Sequence, residues 1–247
     1  MAESKVLQIG AEAIILKSGK EITKKRIKKS YRIPEIDEKI RKLRTRSEGK
    51  LLEKASKLID VPKIKKIDEK NKEIIIDFID GKRLADFLDN FSIEKQKKIC
   101  RTIGENVAKL HDSNIIHGDL TTSNMIYVES SGKKLVNKNK NYANDKVSKR
   151  ISVINNLVVG RWKSDRLIKN IFKIFFIDFG LGFISHKIED KAVDIHLFKE
   201  ALEARHFKHW EILFAEFLNG YKKYSESKKV LEQLRKVEQR GRYKERY

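Results

Sequence analysis

Apolar residues in the first eighty positions fall into short runs and one long helical pattern. Residues 6–27, VLQIGAEAIILKSGKEITKKRI, contain two apolar runs broken by Gly10 and by the Ser-Gly-Lys turn at 18–20, which predicts strands joined by tight turns. From Pro34 to Leu58 the apolar residues recur mostly every three or four positions, which predicts a helix with one apolar face. The run EIIIDFI at 73–79 predicts a buried strand.

The remainder of the chain is dominated by helical spacing. Three segments have this spacing, the second of them with Ser92 as a candidate N-cap: 83–91, 93–113 and 190–206. Two apolar runs, 124–130 and 173–182, predict strands on either side of a stretch rich in Lys, Asn and Ser. We interpret that stretch, about residues 130–170, as a mobile basic insertion. The order of elements predicts an α+β protein with an N-lobe of residues 1–80 and a C-lobe of residues 81–247.

The composition favours a folded and unexported protein. The chain has 247 residues, of which 40% are hydrophobic, enough to bury a core. Its single cysteine, Cys100, excludes an intramolecular disulfide framework and a cysteine-based zinc site, and its place on an apolar helix face predicts a core position. No stretch approaches the roughly 18 uninterrupted apolar residues of a membrane-spanning helix, and the N-terminus lacks a signal-peptide pattern. We therefore expect a soluble protein of a reducing compartment, without a membrane partner.

The positive charge is large and unevenly distributed. The 56 Lys and Arg residues outnumber the 35 Asp and Glu residues, which gives a net charge of +21. Residues 17–50 carry +9, residues 130–170 carry +9 and residues 221–247 carry +6, whereas the rest of the chain carries −3. Such concentrated charge is typical of proteins with a polyanionic partner such as nucleic acid. A lysine-rich solvated surface remains the alternative.

One pair of motifs carries the clearest chemical pattern. IIHGDLTTSN at 115–124 contains Asp119 and, five residues later, Asn124, and IDFG follows at 177–180 with Asp178. Phosphoryl transfer from ATP uses this constellation, which consists of an Asp, an Asn five residues on, and an Asp-Phe-Gly beyond the next strand pair. One carboxylate can orient the attacking oxygen, while an amide oxygen and a second carboxylate hold magnesium. The sequence thus predicts a kinase-type site.

Several further segments make the chain resemble one particular family. They are QIGAEA, KKRIKKSYRIPEID, RTRSEG, HGDLTTSNM, IDFGLGFIS, EDKAVD and the basic end RGRYKERY. Together they resemble the Bud-thirty-two family, the small kinase/ATPase subunit of the KEOPS (EKC) complex. The resemblance covers nearly the whole chain except the insertion. HGDLTTSNM and EDKAVD are more specific to this family than to kinases in general.

The resemblance implies a fold, an activity and a set of partners. The fold is a minimal bilobal protein-kinase-like fold, and the activity is that of an atypical serine/threonine kinase or ATPase that uses ATP and Mg²⁺. The complex serves threonylcarbamoylation of the adenosine beside the anticodon in tRNA. Expected partners are a threonylcarbamoyl-transferring subunit on the C-lobe, a small subunit on the N-lobe, and tRNA bound by the basic surface and tail. The expected location is the cytoplasm, with the nucleus as a second compartment.

The resemblance also assigns roles to individual residues. Asp119 would be the catalytic carboxylate, and Lys24 with Glu48 would position the phosphates. Asn124 and Asp178 would hold Mg²⁺. The phosphates would be covered by Gly10, Ala11, Glu12 and Ala13. Ile76 would be the gatekeeper, and the backbone of Asp77, Phe78 and Ile79 would meet the adenine. The tRNA-binding residues of the tail would be Arg240, Arg242, Lys244 and Arg246.

Departures from ordinary protein kinases bear on the activity. Gly118 stands where an arginine usually links the catalytic loop to a phosphorylated activation segment, and Thr121 replaces a lysine. Glu189 follows Asp178 by only eleven positions, so a peptide-docking platform is essentially missing. These features favour ATP hydrolysis or self-phosphorylation. Two alternatives stay open: a free-standing kinase allied to the RIO kinases, and a basic RNA-binding scaffold with a vestigial nucleotide site.

Overall fold

The computed structural model describes residues 5–129 and 172–242 of the chain. Contacts divide the chain into one unit of residues 1–128 with 174–247 and a second unit of residues 129–173. The candidate site lies in the first unit. The predicted basic insertion and the last five residues of the tail lie outside the described residues.

The N-terminal part contains a five-stranded antiparallel sheet in the order β1-β2-β3-β5-β4. Its strands are β1 Lys5–Ile9, β2 Ala13–Ser18, β3 Glu21–Arg26, β4 Ile64–Asp68 and β5 Glu73–Asp77. The structure confirms the strands predicted for residues 6–27 and 73–79. The strand β4 is absent from the sequence prediction because Lys65 and Lys66 interrupt its apolar residues.

The first helix, α1 at Pro34–Ala55, packs against this sheet and ends three residues before the predicted Leu58. Its last turns are buried, but Leu43 in its middle is 54% exposed, so the predicted apolar face is wrong for the first half of the helix. Gly49 allows the close approach to β4, because a Cβ atom there would lie 2.4 Å from Cδ1 of Ile67. This contact fixes the helix that carries one of the predicted site residues.

The C-terminal part is mostly helical. Its helices are α2 Leu84–Phe87, α3 Ile93–Asp112, α4 Ile188–Arg205, α5 Trp210–Tyr221 and α6 Ser227–Arg242. Its short strands are β6 Lys82–Arg83, β7 Ile115–Ile116, β8 Met125–Glu129, β9 Phe172–Phe176 and β10 Phe183–Ile184. They form one sheet in the order β6-β8-β9 and one pair, β7 with β10. The α+β class is therefore confirmed, while the boundary between two lobes at residue 80 stays a prediction.

Local details differ from the sequence prediction in two places. The segment 83–91, predicted as one helix, contains the end of β6, the single-turn helix α2 and a 3₁₀ turn at Leu88–Asn90. Ser92 precedes α3 as predicted, but its side chain makes no capping hydrogen bond. Its carbonyl group instead accepts the N–H groups of Lys95 and Gln96, both at 2.9 Å.

Helices α3 and α5 form the centre of the helical core. A Cβ atom on Gly104 would lie 2.0 Å from the carbonyl oxygen of Phe217, and one on Gly220 would lie 2.1 Å from that of Arg101. The two glycines thus let the helix backbones touch. Cys100 is fully buried in α3, as predicted. No helix within the described ranges is long and apolar enough to span a membrane.

Candidate active site

Strand β3, helix α1 and the segment after β9 bring three predicted site residues into direct contact. The Lys24 amino group donates to Oε1 of Glu48 at 2.8 Å and to Oδ1 of Asp178 at 2.5 Å. Lys24 and Glu48 are 24 positions apart, and Lys24 and Asp178 are 154 positions apart. This arrangement therefore depends on the tertiary fold and not on a local motif.

The two carboxylates control the charge of this lysine. Burial lowers the pKa of Lys24, but the charges of Glu48 and Asp178 raise it by more, so the net pKa lies above the ordinary value of 10.5. Burial raises the pKa of Asp178, but the ammonium group of Lys24 and the N–H of Gly180 lower it by more, so the net pKa lies below the ordinary value. At neutral pH the site therefore holds an ammonium group between two carboxylates.

The Asp-Phe-Gly segment is anchored by its phenylalanine. Phe179 is fully buried, and its ring centroid lies 4.6 Å from that of His117. Asp178 has a left-handed backbone with φ of 60°, a conformation that costs free energy for a residue other than glycine unless its surroundings hold it. The buried neighbour on one side and the Lys24 contact on the other supply that restraint.

The catalytic loop brings Asp119 and Asn124 together as the spacing predicts. The amide nitrogen of Asn124 donates to the carbonyl oxygen of Asp119 at 2.9 Å and to Oδ2 of its carboxylate at 2.8 Å. The N–H of Ile177 donates to the carbonyl oxygen of Asn124 at 3.0 Å, which joins the loop to the segment that carries Asp178. Because the amide nitrogen faces Asp119, Oδ1 of Asn124 is the atom that could bind a metal ion.

Asp194 of α4 supports this loop from within the core, and sequence reasoning assigned it no role. Its carboxylate accepts the backbone N–H groups of His117 and Gly118, both at 2.9 Å, and contacts Nε2 of His111 at 3.2 Å. Burial raises the pKa of Asp194, but the hydrogen bond from His111 and the other neighbours lower it by more, so the carboxyl stays ionised. The motif EDKAVD, which ends at Asp194, was the available signal.

The backbone of Gly118 explains why no larger residue stands at this position. Its φ is +77°, and a Cβ atom there would lie 2.3 Å from the carbonyl oxygen of Leu181. An arginine in this conformation would therefore both strain the backbone and collide with Leu181. The loop is held by Asp194 instead.

His206, directly after α4, makes a second contact to the catalytic loop that the sequence did not indicate. The side chain of His206 is 1% exposed. Its Nδ1 lies 2.9 Å from Oδ1 of Asp89, and its Nε2 lies 3.1 Å from Oγ1 of Thr122. Thr122 stands between Asp119 and Asn124, so this histidine braces the part of the loop that separates them.

Two adjoining cavities collect the remaining residues of the predicted nucleotide site. One, of about 290 Å³, is lined by the predicted gatekeeper and hinge residues 76–79 together with Lys24, Glu48, Asn124 and Asp178. The other, of about 260 Å³, is lined by residues 10–13 together with Lys24, Asp119 and Asp178. Both cavities are lined by Lys24 and Asp178, so the predicted nucleotide residues line two cavities that share these two side chains.

The loop between β1 and β2 is tied to α1 and to the segment before this helix. Nη1 of Arg44 donates to Oε2 of Glu12 at 2.7 Å, and the amino group of Lys29 donates to the carbonyl oxygen of Ala11. The N–H of Gly10 closes the turn by donating to the carbonyl oxygen of Ala13 at 2.9 Å. The sequence did not single out Arg44, which also lines the smaller cavity.

The predicted tRNA-binding tail is only partly described. Arg240 lies in α6, and its guanidinium group forms an ion pair with Glu189 at the start of α4. The side chain of Arg242 and all of Lys244 and Arg246 lie outside the described residues. The tail thus begins within a helix.

Comparisons with known proteins agree on a kinase-like family. The sequence profile of the RIO domain matches residues 14–136. A KEOPS complex subunit Bud32 of Pyrococcus abyssi is 37% identical over 231 residues, which cover 92% of this chain and 86% of that protein. A probable bifunctional tRNA threonylcarbamoyladenosine biosynthesis protein of Methanococcus vannielii is 35% identical over 239 residues. The match covers 95% of this chain but only 35% of that longer protein.

A comparison of structures leads to the same fold. The Rio2 kinase of Chaetomium thermophilum, solved as an ADP/Mg²⁺-phosphoaspartate complex, superposes with a TM-score of 0.56 at 13% identity. The superposition covers 98% of this chain and 71% of that one. At this identity the likeness shows that the fold is protein-kinase-like.

Proposed function

The chain belongs to the family of the KEOPS complex subunit Bud32, and from this we propose that it is a KEOPS subunit with an ATP-dependent activity. It would hydrolyse ATP or phosphorylate serine or threonine, in support of threonylcarbamoylation of the adenosine beside the anticodon in tRNA. The observation that carries the proposal is the meeting of Lys24, Glu48 and Asp178 beside the catalytic loop. These are the residue types that phosphoryl transfer from ATP requires.

The adenine would bind at residues 76–79, where the backbone offers one hydrogen-bond donor. The N–H of Asp77 donates to the carbonyl oxygen of Lys63 at 2.9 Å, and that of Phe78 donates to Lys20 at 2.8 Å. These two donors are therefore engaged within the protein, and the N–H of Ile79 is the one assigned to the base. The phosphates would then lie toward Lys24 and the loop at 10–13.

The donor set fits Mg²⁺ better than a metal bound by the protein alone. Within the described ranges, no group of three or more His, Cys, Asp or Glu residues could hold a metal ion. Oδ1 of Asn124 and the carboxylate of Asp178 are hard oxygen donors, which suit Mg²⁺ when phosphate oxygens and water complete its shell. Bound there, Mg²⁺ would neutralise charge on the phosphates.

Asp119 would orient the attacking hydroxyl group or water. Its Oδ2 already accepts the amide of Asn124, so Oδ1 is the oxygen assigned to the nucleophile. The restraint of the loop by Asp194 and His206 supports a preset geometry that needs no phosphorylated activation segment. This favours ATP hydrolysis or self-phosphorylation over work on many protein substrates.

The assembly partners follow from the family. We assign a threonylcarbamoyl-transferring subunit to the C-lobe, a small subunit to the N-lobe, and tRNA to the basic surface with Arg240, Arg242, Lys244 and Arg246. The names of the relatives, a KEOPS subunit and a bifunctional tRNA threonylcarbamoyladenosine biosynthesis protein, support this assignment. The cytoplasm, with the nucleus as a second compartment, remains the proposed location.

The test is ATP hydrolysis by the purified chain, with and without tRNA, at low and moderate salt. We expect turnover that tRNA stimulates, and a fall of about 100-fold or more in Asp119→Ala and Asp178→Ala. The control is Asp112→Ala, an exposed position at the end of α3. Unchanged turnover in Asp178→Ala would show that the site assignment is wrong.

The alternatives give different results in the same assay. Efficient phosphorylation of an added protein without any response to tRNA would favour a free-standing RIO-like kinase. Binding of tRNA without ATP turnover would favour a basic RNA-binding scaffold. Either result would overturn the proposed function.

A further inference from the structure

Strand β3 presents a second cation to the nucleotide site. Side chains alternate between the two faces of a strand, so Lys24 and Arg26 share one face and Lys25 points to the other. Lys25 accordingly pairs with Glu73 at 2.8 Å on the opposite face, with its side chain 53% exposed. Arg26 is buried, with its side chain only 5% exposed.

Glu48 divides its carboxylate between the two cations. Oε1 of Glu48 accepts Lys24 at 2.8 Å, and Oε2 accepts Nη2 of Arg26 at 2.5 Å. The Glu48 side chain is 3% exposed. The same Nη2 atom lies 3.5 Å from the carbonyl oxygen of Arg44, one turn earlier in α1. Arg26 thus holds both the carboxylate and the helix that carries it.

This cluster contains two cationic and two anionic side chains. Lys24 and Arg26 are the cations, and Glu48 and Asp178 are the anions. A buried carboxylate is stable only while it keeps a charged hydrogen-bonding partner. If Lys24 shared its charge with the phosphates of ATP and Glu48 had no other cation, Glu48 would lose part of its compensation. Arg26 removes that difficulty, since it stays bound to the other carboxylate oxygen.

We propose that Arg26 is a positioning residue for the nucleotide, which holds Glu48 in place so that Lys24 can exchange Asp178 for the phosphates. Arg26 acts through Glu48 and has no contact with ATP of its own in this proposal. The inference rests on the proposed ATP site. In this proposal Arg26, two positions further along β3, is what distinguishes Lys24 from the other lysines of the chain.

The first test measures ATP affinity by calorimetry, together with kcat and KM, in three variants. Arg26→Gln should weaken ATP binding and raise KM by about 10-fold or more, the effect of losing a charged hydrogen bond, with a smaller change in kcat. Arg26→Lys, which keeps the charge, should recover most of the affinity. Lys25→Gln, the matched neighbour on the opposite face, should bind ATP like the wild type.

The second test is a double-mutant cycle with Glu48→Gln. If Arg26 acts through Glu48, adding Arg26→Gln to Glu48→Gln should change ATP affinity by less than about twofold. Full additivity of the two effects would overturn the proposal, as would wild-type affinity in Arg26→Gln. A wild-type chain that binds no ATP would instead contradict the proposed function itself.

Thermal unfolding of each variant separates positioning from loss of fold. If Arg26→Gln is unfolded at the assay temperature, Arg26→Lys and Glu48→Gln decide the question. Near wild-type ATP affinity in Arg26→Lys with weakened affinity in Glu48→Gln supports the proposal. Equal weakening in both folded variants overturns it, because a retained charge would then have failed to position Glu48.

Discussion

The amino group of Lys24 lies 2.5 Å from Oδ1 of Asp178, so the proposed phosphate-binding lysine is paired with a proposed metal ligand. Burial lowers the pKa of Lys24, and the two neighbouring carboxylates raise it by more, to a net value above 10.5. The stability that its ion pairs supply is therefore present in full below about pH 10 and is lost as the pH rises through the raised pKa.

This relationship predicts the pH dependence of stability. We expect the difference in free energy of unfolding between the wild type and Lys24→Met to stay constant from about pH 7 to about pH 9. Above the ordinary pKa of 10.5 the stability of the wild type relative to Lys24→Met should fall, because the wild type loses its Lys24 ion pairs. Urea denaturation at a series of pH values measures it, and the other lysines cancel because both proteins contain them. A difference that already changes near neutral pH would contradict the shifted pKa of Lys24.

The close approach of Leu181 to Gly118 predicts that even alanine is harmful there. Gly118→Ala places a Cβ atom 2.3 Å from the carbonyl oxygen of Leu181, which should lower the free energy of unfolding by about 1–3 kcal/mol. ATP turnover should fall as well, because the adjacent Asp119 shifts. Gly19→Ala is the matched control: its φ is +58°, but no atom lies within 4 Å of the added Cβ. Equal effects at the two positions would rule out the steric explanation.

The contact between His206 and Thr122 predicts an effect on catalysis at a distance from the nucleotide. Thr122→Val keeps the shape of the side chain but removes the hydroxyl group that His206 contacts at 3.1 Å. Leaving a buried polar atom unpaired costs about 1–3 kcal/mol, so we expect kcat to fall about 10-fold with little change in the KM for ATP. Thr102→Val, at a half-buried position of α3 where the hydroxyl donates to the carbonyl oxygen of Lys98, should behave like the wild type. An unchanged kcat in Thr122→Val would show that this brace is dispensable.

Cys100 offers a direct measure of opening of the helical core. It is fully buried, and burial raises the pKa of its thiol well above the ordinary value, so little reactive thiolate exists in the native state. We expect Ellman's reagent to release about one equivalent only in denaturing urea, and very slowly in native buffer. Fast labelling in native buffer would contradict the packing of α3 against α5.

The parts of the site defined by short motifs were predictable from the sequence. Asp119 and Asn124 stand five positions apart in one loop, where the chain itself sets their relative positions, and Asp178 is recognised by its Asp-Phe-Gly motif. The pairing of Lys24 with Glu48 needed the family resemblance, because it depends on how α1 packs on the sheet. Their roles remain proposals, but the structure places all five along two cavities that share Lys24 and Asp178.

Other parts could not be predicted because they depend on contacts between distant elements. Asp194 reaches the catalytic loop from within α4 and His206 from directly after it, and nothing in their local sequence states what they will contact. Arg26 is an intermediate case, since the two-residue period of a strand places it beside Lys24 once β3 is known. Leu43 is exposed because the buried face of this part of α1 carries polar residues, Asp37, Thr45 and Glu48, and not the apolar ones.

The pairing of β8 with β9 makes the distance between the two proposed metal ligands independent of the length of the chain that connects these strands. Asn124 precedes β8 directly, Asp178 follows β9 by two positions, and the 3.0 Å hydrogen bond from Ile177 joins these ends. Five strand residues, about 17 Å, lie between Asn124 and the point where the described chain leaves β8. For loops in general, lengthening a connection about eightfold costs only about 2 kcal/mol in chain entropy. Evolution can therefore lengthen or shorten the connection here while the two proposed metal ligands keep their distance.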